Sequence, residues 1–240
     1  MHRFYAEEIL NGRAALTPED ARHALRVLRL RPGDQVELIS NGTRYRAVLG
    51  ENENLIVGEE LPSTEPILQI TLYQGLPKAD KMDWIVQKAV EIGISRIVPV
   101  QMSRCVVRFD SKDLEKKLLR WNRIAREAGK QSGRCRIPEV TAPVTLMELA
   151  KRSDLPDVCA VPWEDTAVGG PRSLLDAHPN PPSLGILIGP EGGIAPEEIR
   201  MAAPRFEPIT LGPRILRTET AGLAAAAAFL ALRGEMEGMV

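Results

Sequence analysis

The sequence predicts an α/β protein in which a small β-rich domain precedes a larger domain built on a mainly parallel sheet. From residue 67 onward, apolar strand-like runs alternate with helical patterns, as in a parallel sheet with helices on its faces. The first 66 residues instead contain short strand-like runs separated by tight-turn signals. A proline-bounded polar stretch at 61–66 has the composition of a linker. We therefore expect two domains, 1–66 and 67–240.

The composition is that of an ordinary globular protein, with 44% hydrophobic and 26% charged residues and a net charge of −1. No run approaches the roughly 20 apolar residues of a membrane span. The N-terminus lacks the apolar core of a signal peptide, so we expect a cytoplasmic protein with no membrane partner. Three cysteines and three histidines are widely scattered. That spacing indicates free thiols and no metal site.

In the first domain, strands are expected at 35–39 and 44–49, joined by the hairpin signal Asn41-Gly42. Before them, Arg22, Arg26 and Arg29 fall on one predicted helical face, and no acidic residue occurs from 21 to 33. Such a face suits contacts with RNA phosphates. The alternative is a surface helix that caps the domain and supplies leucines to its core.

In the second domain, strands are expected where short apolar runs end at turn residues, at 67–73, 96–100, 138–142, 158–162, 184–188 and 208–211. Helices are expected where apolar residues recur at helical spacing, at 79–92, 113–128, 146–151, 196–203 and from 218 to about 233. Gly93 should end the first of them, and Pro196 should begin the fourth. The Gly- and Pro-rich segment 163–182 is expected to be a loop.

Residues 186–193, ILIGPEGG, form the most informative stretch of the chain. A buried strand stops at a Gly-Pro turn, and one carboxylate and two glycines follow before the helix at Pro196. Open α/β sheets bind ligands at such glycine-rich loops, because bare backbone can approach the ligand closely. An ordinary turn would use the same residues, so this stretch alone does not decide between the two.

A second Gly-Pro turn follows the last predicted strand, in residues 211–221, LGPRILRTETA. Two such loops in the last quarter of the chain suggest that they wrap a small molecule together. Neither contains the Gly-Lys-Ser/Thr of a phosphate-binding P-loop, which argues against nucleotide hydrolysis.

The pair of motifs, LIGPEGG followed by LGPRILRTETA, resembles the bacterial 16S ribosomal RNA uridine N3-methyltransferases of the SPOUT superfamily. The resemblance implies a PUA-like RNA-binding β-barrel at 1–66 and a SPOUT methyltransferase domain at 67–240 with a deep trefoil knot. It further implies S-adenosylmethionine as cofactor, no metal, 16S rRNA of the small ribosomal subunit as substrate, and a homodimer. Periodicity itself does not indicate a knot, which is a rare arrangement.

The resemblance also implies a set of cofactor-binding residues. They are Val161, Pro162, Trp163, Ile188, Gly189, Pro190, Glu191, Gly192, Leu211, Gly212, Ile215 and Leu216. Gly189, Gly192 and Gly212 are expected to leave space between the ligand and the backbone donors.

Methylation of uridine N3 requires alignment of N3 with the methyl group and removal of the imide proton. Arg214 and Arg217 are candidate donors to the uracil oxygens, and Glu219 is a candidate base. Alternatively, Thr218 caps the last helix and Glu219 stabilises its first turn. Glu191 would then serve to order the loop.

Residues 104–136 contain eleven basic and four acidic residues, a pattern that suits either phosphate contacts or a solvated helix face. Lysines at a helix N-terminus oppose the helix dipole, which favours a role in phosphate binding for Lys78 and Lys81. The residues expected to contact RNA are Arg22, Arg26, Lys78, Lys81, Arg104 and Arg134. Two alternative functions stay open: a non-catalytic RNA-binding ribosome assembly factor, and a methyltransferase acting on tRNA or on a ribose 2′-oxygen.

Overall fold

The computed structural model describes residues 1–166 and 169–237. Ala167 and Val168, within the predicted loop, and residues 238–240, at the end of the predicted second domain, lie outside the described residues. The chain forms two compact units. The first comprises residues 1–65 together with 129–136, and the second comprises 66–128 and the chain from 137 onward. The sequence did not predict that 129–136 belong to the first unit.

The first unit is built on a five-stranded sheet with the strand order β1-β3-β4-β5-β2. Its strands are β1 (Arg3–Ala6), β2 (Arg13–Ala15), β3 (Gln35–Ser40), β4 (Thr43–Leu49) and β5 (Asn54–Leu61). Asn41 and Gly42 both have positive φ, 49° and 79°, as the predicted hairpin between β3 and β4 requires. The strands β1, β2 and β5 were not predicted. Three or four residues are too few to show an alternating pattern in β1 and β2, and a glycine followed by two glutamates interrupts the apolar residues of β5.

The arginine-rich segment of this unit is less regular than the sequence predicted. Helix α1 (Pro18–Arg22) begins after the cap Thr17 and passes into a π-helical turn over His23–Val27. Arg22 and Arg26 are exposed there. Arg29 has left-handed backbone geometry, with φ of 55°, and lies beyond the helical turns. The predicted helical face of three arginines is therefore wrong with respect to Arg29.

A buried ion pair holds residues 129–136 within the first unit. The Arg134 guanidinium is 4% exposed and donates to both carboxylate oxygens of Glu65, at 2.7 Å from Nη2 and 3.0 Å from Nε. The same carboxylate accepts from the backbone N–H groups of Cys135 and Arg136. Arg134 is thus enclosed within the protein, and the prediction that it contacts RNA is wrong.

The second unit contains a seven-stranded sheet in which every pairing is parallel. Its strands are β6 (Gln69–Gly75), β7 (Arg96–Gln101), β8 (Glu139–Val140), β9 (Val144–Thr145), β10 (Val158–Pro162), β11 (Ser183–Ile188) and β12 (Glu207–Ile209). Their order is β12-β10-β11-β6-β7-β8, with β9 also beside β7. The predicted parallel sheet is confirmed. Its central strands, β6 and β11, are buried and mostly apolar, as expected for strands covered on both faces.

The helices of the second unit are α2 (Lys81–Ile92), α3 (Ser111–Ser132, whose last turn lies in the first unit), α4 (Leu146–Ala150), α5 (Pro171–Ala177), α6 (Pro196–Ala202) and α7 (Thr218–Leu232). Helix α7 packs against β6, β11, α2 and α5, whereas α4 packs against β7 and α6. Gly93 ends α2 in left-handed geometry, with φ of 119°. The prediction of a continuous loop over 163–182 is wrong at α5, where Pro171 occupies the first helical turn.

None of the helices in the described ranges combines the length and the apolar character needed to cross a membrane. The strand order records which strands are neighbours and does not by itself trace a knot, so the predicted knot stays a prediction.

Candidate active site

A cavity of about 490 Å³ lies where three neighbouring strands of the parallel sheet, β10, β11 and β12, reach their carboxyl ends. These strands are separated along the chain but adjacent in the sheet, so the loops that follow them converge. The volume is typical of a small-molecule site. The lining residues are Pro162, Trp163, Glu164, Thr166, Ile188, Gly189, Pro190, Gly193, Ile194, Thr210, Leu211, Gly212, Pro213, Arg214, Ile215, Leu216, Thr218 and Ala221.

Nine of the twelve residues predicted to bind the cofactor line this cavity: Pro162, Trp163, Ile188, Gly189, Pro190, Leu211, Gly212, Ile215 and Leu216. Three do not. Val161 is fully buried in its strand, and the Glu191 carboxylate accepts a hydrogen bond from the backbone N–H of Lys78, shortly before α2. Gly192 uses its carbonyl to accept a hydrogen bond from Arg104 Nη1 at 2.9 Å.

The remaining lining residues were not among the predicted cofactor-binding residues, although Gly193, Pro213, Arg214, Thr218 and Ala221 lie within the two motifs. Glu164 and Thr166 follow β10 in a stretch without a distinctive pattern. Thr218 and Ala221 come from the first turn of α7, where residues three apart share a face. That spacing was the available signal for these two, because the second motif ends inside the helix.

Two of the three glycines expected to leave space for the ligand serve a different purpose. A Cβ on Gly189 would lie 2.7 Å from Ile194 Cγ1, so this glycine lets the loop close on itself. A Cβ on Gly192 would lie 3.1 Å from the Cβ of Arg104. Gly212 has φ of 95°, and the nearest atom to a Cβ there is Arg214 Nη2 at 3.8 Å. Of the three, Gly212 alone fits the predicted role of leaving open space.

The side chain of Thr218 connects the cavity wall to the sheet. Its hydroxyl donates to the Gly189 carbonyl at 2.6 Å and accepts from Gln74 Nε2 at 2.9 Å. Arg217, not Thr218, is the residue before the first turn of α7. The prediction that Thr218 caps the helix is wrong, because its hydroxyl is turned toward the ends of β6 and β11.

A lysine between two carboxylates lies beside this connection. Lys81 Nζ is 3.1 Å from Glu191 Oε1 and 3.0 Å from Glu219 Oε2. The pKa of Glu219 is lowered by a hydrogen bond from its own backbone N–H and by Lys81. Burial alone would raise the pKa of Glu191, but backbone N–H donors, including that of Lys78, and the Lys81 ammonium outweigh it and lower the pKa.

These contacts change the interpretation of two predicted residues. The hydrogen bonds to Glu219 and Glu191 raise the pKa of Lys81, whose charge is therefore engaged within the protein. An ionised, ion-paired carboxylate with a lowered pKa is a weak proton acceptor. The geometry favours a positioning role for Glu219 over that of a base, and for Lys81 over that of a phosphate ligand.

Exposed cations remain around the cavity. Arg214 lies on its wall, and Arg217 follows at the start of α7, where its charge acts on Glu219. Arg104 and Lys78 are also exposed on this unit. Among the described residues, no group of three or more His, Cys, Asp or Glu side chains is arranged to hold a metal ion.

Comparison with known proteins agrees with this architecture. A family model for an RNA methyltransferase domain matches residues 63–230, and one for an RNA methyltransferase PUA domain matches residues 16–61. Ribosomal RNA small subunit methyltransferase E of Bacillus subtilis is 35% identical over 230 residues, which are 89% of this chain and 88% of the relative. The chain belongs to the ribosomal RNA small subunit methyltransferase E family.

Other members of the methyltransferase E family agree in length and in structure. The Aquifex aeolicus protein is 30% identical over 92% of this chain and 95% of its own length. A crystal structure of the Neisseria gonorrhoeae protein bound to S-adenosyl methionine superposes with a TM-score of 0.82 at 35% identity, covering 97% of this chain and 98% of that one. The predicted fold class, a SPOUT methyltransferase domain with a PUA-like domain, is confirmed for this methyltransferase E family member.

Proposed function

We propose that this chain transfers the methyl group of S-adenosylmethionine to N3 of a uridine in 16S ribosomal RNA. The observation that carries the proposal is the cavity formed where β10, β11 and β12 end, walled by the two Gly-Pro loops. Family relatives named small-subunit rRNA methyltransferases, and the Neisseria protein bound to S-adenosyl methionine, support the same assignment.

The residues of the cavity fit this cofactor. Apolar side chains such as Ile188, Leu211 and Leu216 offer surfaces for the adenine ring, and Gly212 leaves its wall open. Residues 210–216 lie outside the helices and strands, so their backbone amides and carbonyls can face a ligand. When bound there, the cofactor supplies a methyl group on a positively charged sulfur.

The chain's own residues must hold the uracil and manage its imide proton. We assign donation to the uracil oxygens or to a flanking phosphate to the guanidinium groups of Arg214 and Arg217. Arg214 lines the cavity and Arg217 directly precedes α7, which supports this assignment. Donation to the oxygens stabilises the anion left when N3 loses its proton, which allows solvent to accept that proton. In the net change N3 gains the methyl group and loses its proton, and the sulfur becomes neutral.

We assign RNA binding to exposed cations that form no ion pair with an acidic side chain in the described part of the chain. Arg104 and Lys78 belong to the methyltransferase unit, and Arg22 and Arg26 belong to the PUA unit. The basic stretch 104–136 contributes less than its charge suggests, because several of its cations form internal ion pairs. These are Lys117 with Asp80, Arg120 with Asp83, Lys130 with Asp20 and Arg134 with Glu65.

The remaining features implied by the family are part of the same proposal: a homodimer, a knotted C-terminal domain and action in the cytoplasm without a metal. Light scattering after size exclusion tests the homodimer, which should have about twice the chain mass of 26.4 kDa. A mass of one chain would contradict it.

Methyl incorporation tests the proposed reaction. Small ribosomal subunits, naked 16S RNA and tRNA from a strain lacking the modification would each be incubated with the protein and labelled S-adenosylmethionine. We expect incorporation into the small subunit or its RNA and none into tRNA. Incorporation into tRNA alone would show that the substrate is tRNA and not 16S RNA. The assembly-factor alternative predicts no saturable binding of S-adenosylhomocysteine in calorimetry and no incorporation.

A further inference from the structure

Three segments that are distant in sequence meet at the ammonium group of Lys81. Lys81 begins α2, Glu191 lies in the loop after β11, and Glu219 lies in the first turn of α7. The backbone N–H of Lys78 also donates to both oxygens of Glu191, at 3.1 and 3.2 Å. The start of α2 therefore holds the loop and the helix in one arrangement.

A second connection runs beside the first and joins the same loop to the same helix turn. It passes from Gln74 Nε2 to the Thr218 hydroxyl and on to the Gly189 carbonyl. Gln74 is fully buried, and Gly75 lies so close to Pro190 that a Cβ would come within 2.6 Å of the Pro190 nitrogen. Residues 74–81 are thus a common anchor, which we call the anchor segment, for the loop at 189–191 and for residues 218–219.

The two anchored elements serve the two reactants of the proposed reaction. Gly189 and Pro190 line the cavity assigned to the cofactor. Arg217 directly precedes the anchored turn of α7 and is the residue assigned to the uracil. A group that joins these elements therefore sets the distance between the methyl donor and the RNA.

We propose that Lys81 is a positioning residue for methyl transfer, whose ammonium couples the cofactor loop to the turn of α7 that presents Arg217. The proposal rests on the proposed function. It replaces phosphate binding as the role of this lysine. Removal of the ammonium leaves the carboxylates of Glu191 and Glu219 without the cation that bridges them. The loop and the turn are then joined only through Gln74 and Thr218, and they move more independently.

This coupling is distinct from a contribution to stability. The side chains of Lys81, Glu191 and Glu219 are 31%, 24% and 21% exposed, and ion pairs this open to solvent stabilise a fold little. The reaction rate is more sensitive than stability to the loss of these contacts, because a displacement of about 1 Å can reduce a reaction rate by roughly 10²-fold. The rate should therefore respond to loss of Lys81 far more than the melting temperature does.

The test compares Lys81→Met and Lys81→Arg with a matched control. Lys88→Met removes a lysine of the same helix that is 35% exposed and pairs with Glu91 at 2.8 Å, away from the cavity. Hydrogen exchange is followed in peptides covering 188–193 and 217–222 of the cofactor-free protein. The rate of a single turnover is measured at saturating S-adenosylmethionine.

In Lys81→Met, we expect hydrogen exchange in both peptides to be roughly fivefold or more faster than in the wild-type protein. The single-turnover rate should be roughly 10²-fold lower. Lys81→Arg should recover most of both, because a guanidinium can bridge two carboxylates. Lys88→Met should match the wild-type protein. If Lys81→Met does not fold, the neutral and polar Lys81→Gln replaces it, with faster exchange than in the wild-type protein again expected in both peptides.

Wild-type exchange in both peptides of Lys81→Met would overturn the coupling, as would a turnover equal to that of the wild-type protein. Failure of Lys81→Arg to improve on Lys81→Met would do the same. A wild-type protein that methylates no RNA would instead count against the proposed function. The exchange measurement separates the two failures, because it needs neither cofactor nor RNA.

Discussion

Replacement of Gly75 by alanine should damage the cofactor wall through a steric clash. The added Cβ would lie 2.6 Å from the Pro190 nitrogen, 2.8 Å from Pro190 Cδ and 2.9 Å from the Gly189 carbonyl carbon. The shortest of these is about 0.8 Å below an ordinary contact of 3.4 Å. Backbone and ring atoms cannot rotate away as the end of a side chain can, so the loop at 189–190 must move.

Two effects of different size follow from this displacement. Overpacking of a buried site costs about 1–3 kcal/mol, which lowers the melting temperature of a chain of this length by roughly 2–12 °C. Gly189 and Pro190 line the cavity, so a shift of nearly 1 Å should also weaken S-adenosylhomocysteine binding by about tenfold or more.

Calorimetric titration with S-adenosylhomocysteine, paired with thermal melts, separates the two effects when Gly185→Ala serves as control. A Cβ on Gly185 would lie 2.8 Å from Cys159 Sγ and 3.0 Å from Tyr73 Cε2, in the same sheet but against side chains. The control should lose stability and keep its affinity. Equal affinities for Gly75→Ala and the wild-type protein would refute the reasoning.

Three further predictions concern charged residues. Arg217→Ala should lower the rate of methyl transfer by about 10²–10³-fold. Its affinity for S-adenosylhomocysteine in calorimetry should stay within about threefold of the wild-type value, because Arg217 is exposed and does not line the cavity. A wild-type rate would show that Arg217 has no part in the mechanism. Arg134→Met should cost about 3–5 kcal/mol in chemical denaturation, because it leaves the Glu65 carboxylate without its charged partner. The exposed neighbour serves as control, and Arg136→Met should cost less than about 0.5 kcal/mol. Equal losses would contradict the buried ion pair. The lowered pKa of Glu219 means that its stabilising effect is complete above the ordinary carboxyl pKa of about 4.3 and is lost as the pH falls through its folded value. Because the stabilisation is small, the carboxyl titration itself is the measurement. Carboxyl-carbon NMR should find the pKa of Glu219 lower in the wild-type protein than in Lys81→Met, and equal values would contradict the assignment.

The sequence was most informative where function depends on consecutive residues. The alternation of strands and helices after residue 67 and the two Gly-Pro motifs were sufficient to predict the fold class and most of the residues that line the cavity. The sequence analysis missed contacts between residues that are distant along the chain. The Glu191 carboxylate bonds an amide 113 residues away, and Lys81 pairs with Glu219 across 138 residues. No local pattern reveals such partners, so Lys81 and Glu219 were assigned to RNA and to proton transfer.

The prediction of secondary structure missed several elements for a different reason, which is their short length. The short strands β1 and β2 and the seven-residue helix α5 offer too little periodicity to distinguish them from loop, although Pro171 is a recognisable start signal. The sequence also gave no sign that Arg134 is buried, because its partner Glu65 lies in the segment predicted as a linker.

Mass spectrometry of digested RNA tests the central claim most directly. Small subunits from a strain lacking the modification would be incubated with the protein and S-adenosylmethionine, and the modified nucleoside would be identified and located. The proposal predicts 3-methyluridine at a single site in 16S RNA. A methyl group on a ribose oxygen or on another base would contradict the assigned target atom, and the absence of any added methyl group would contradict the enzyme itself.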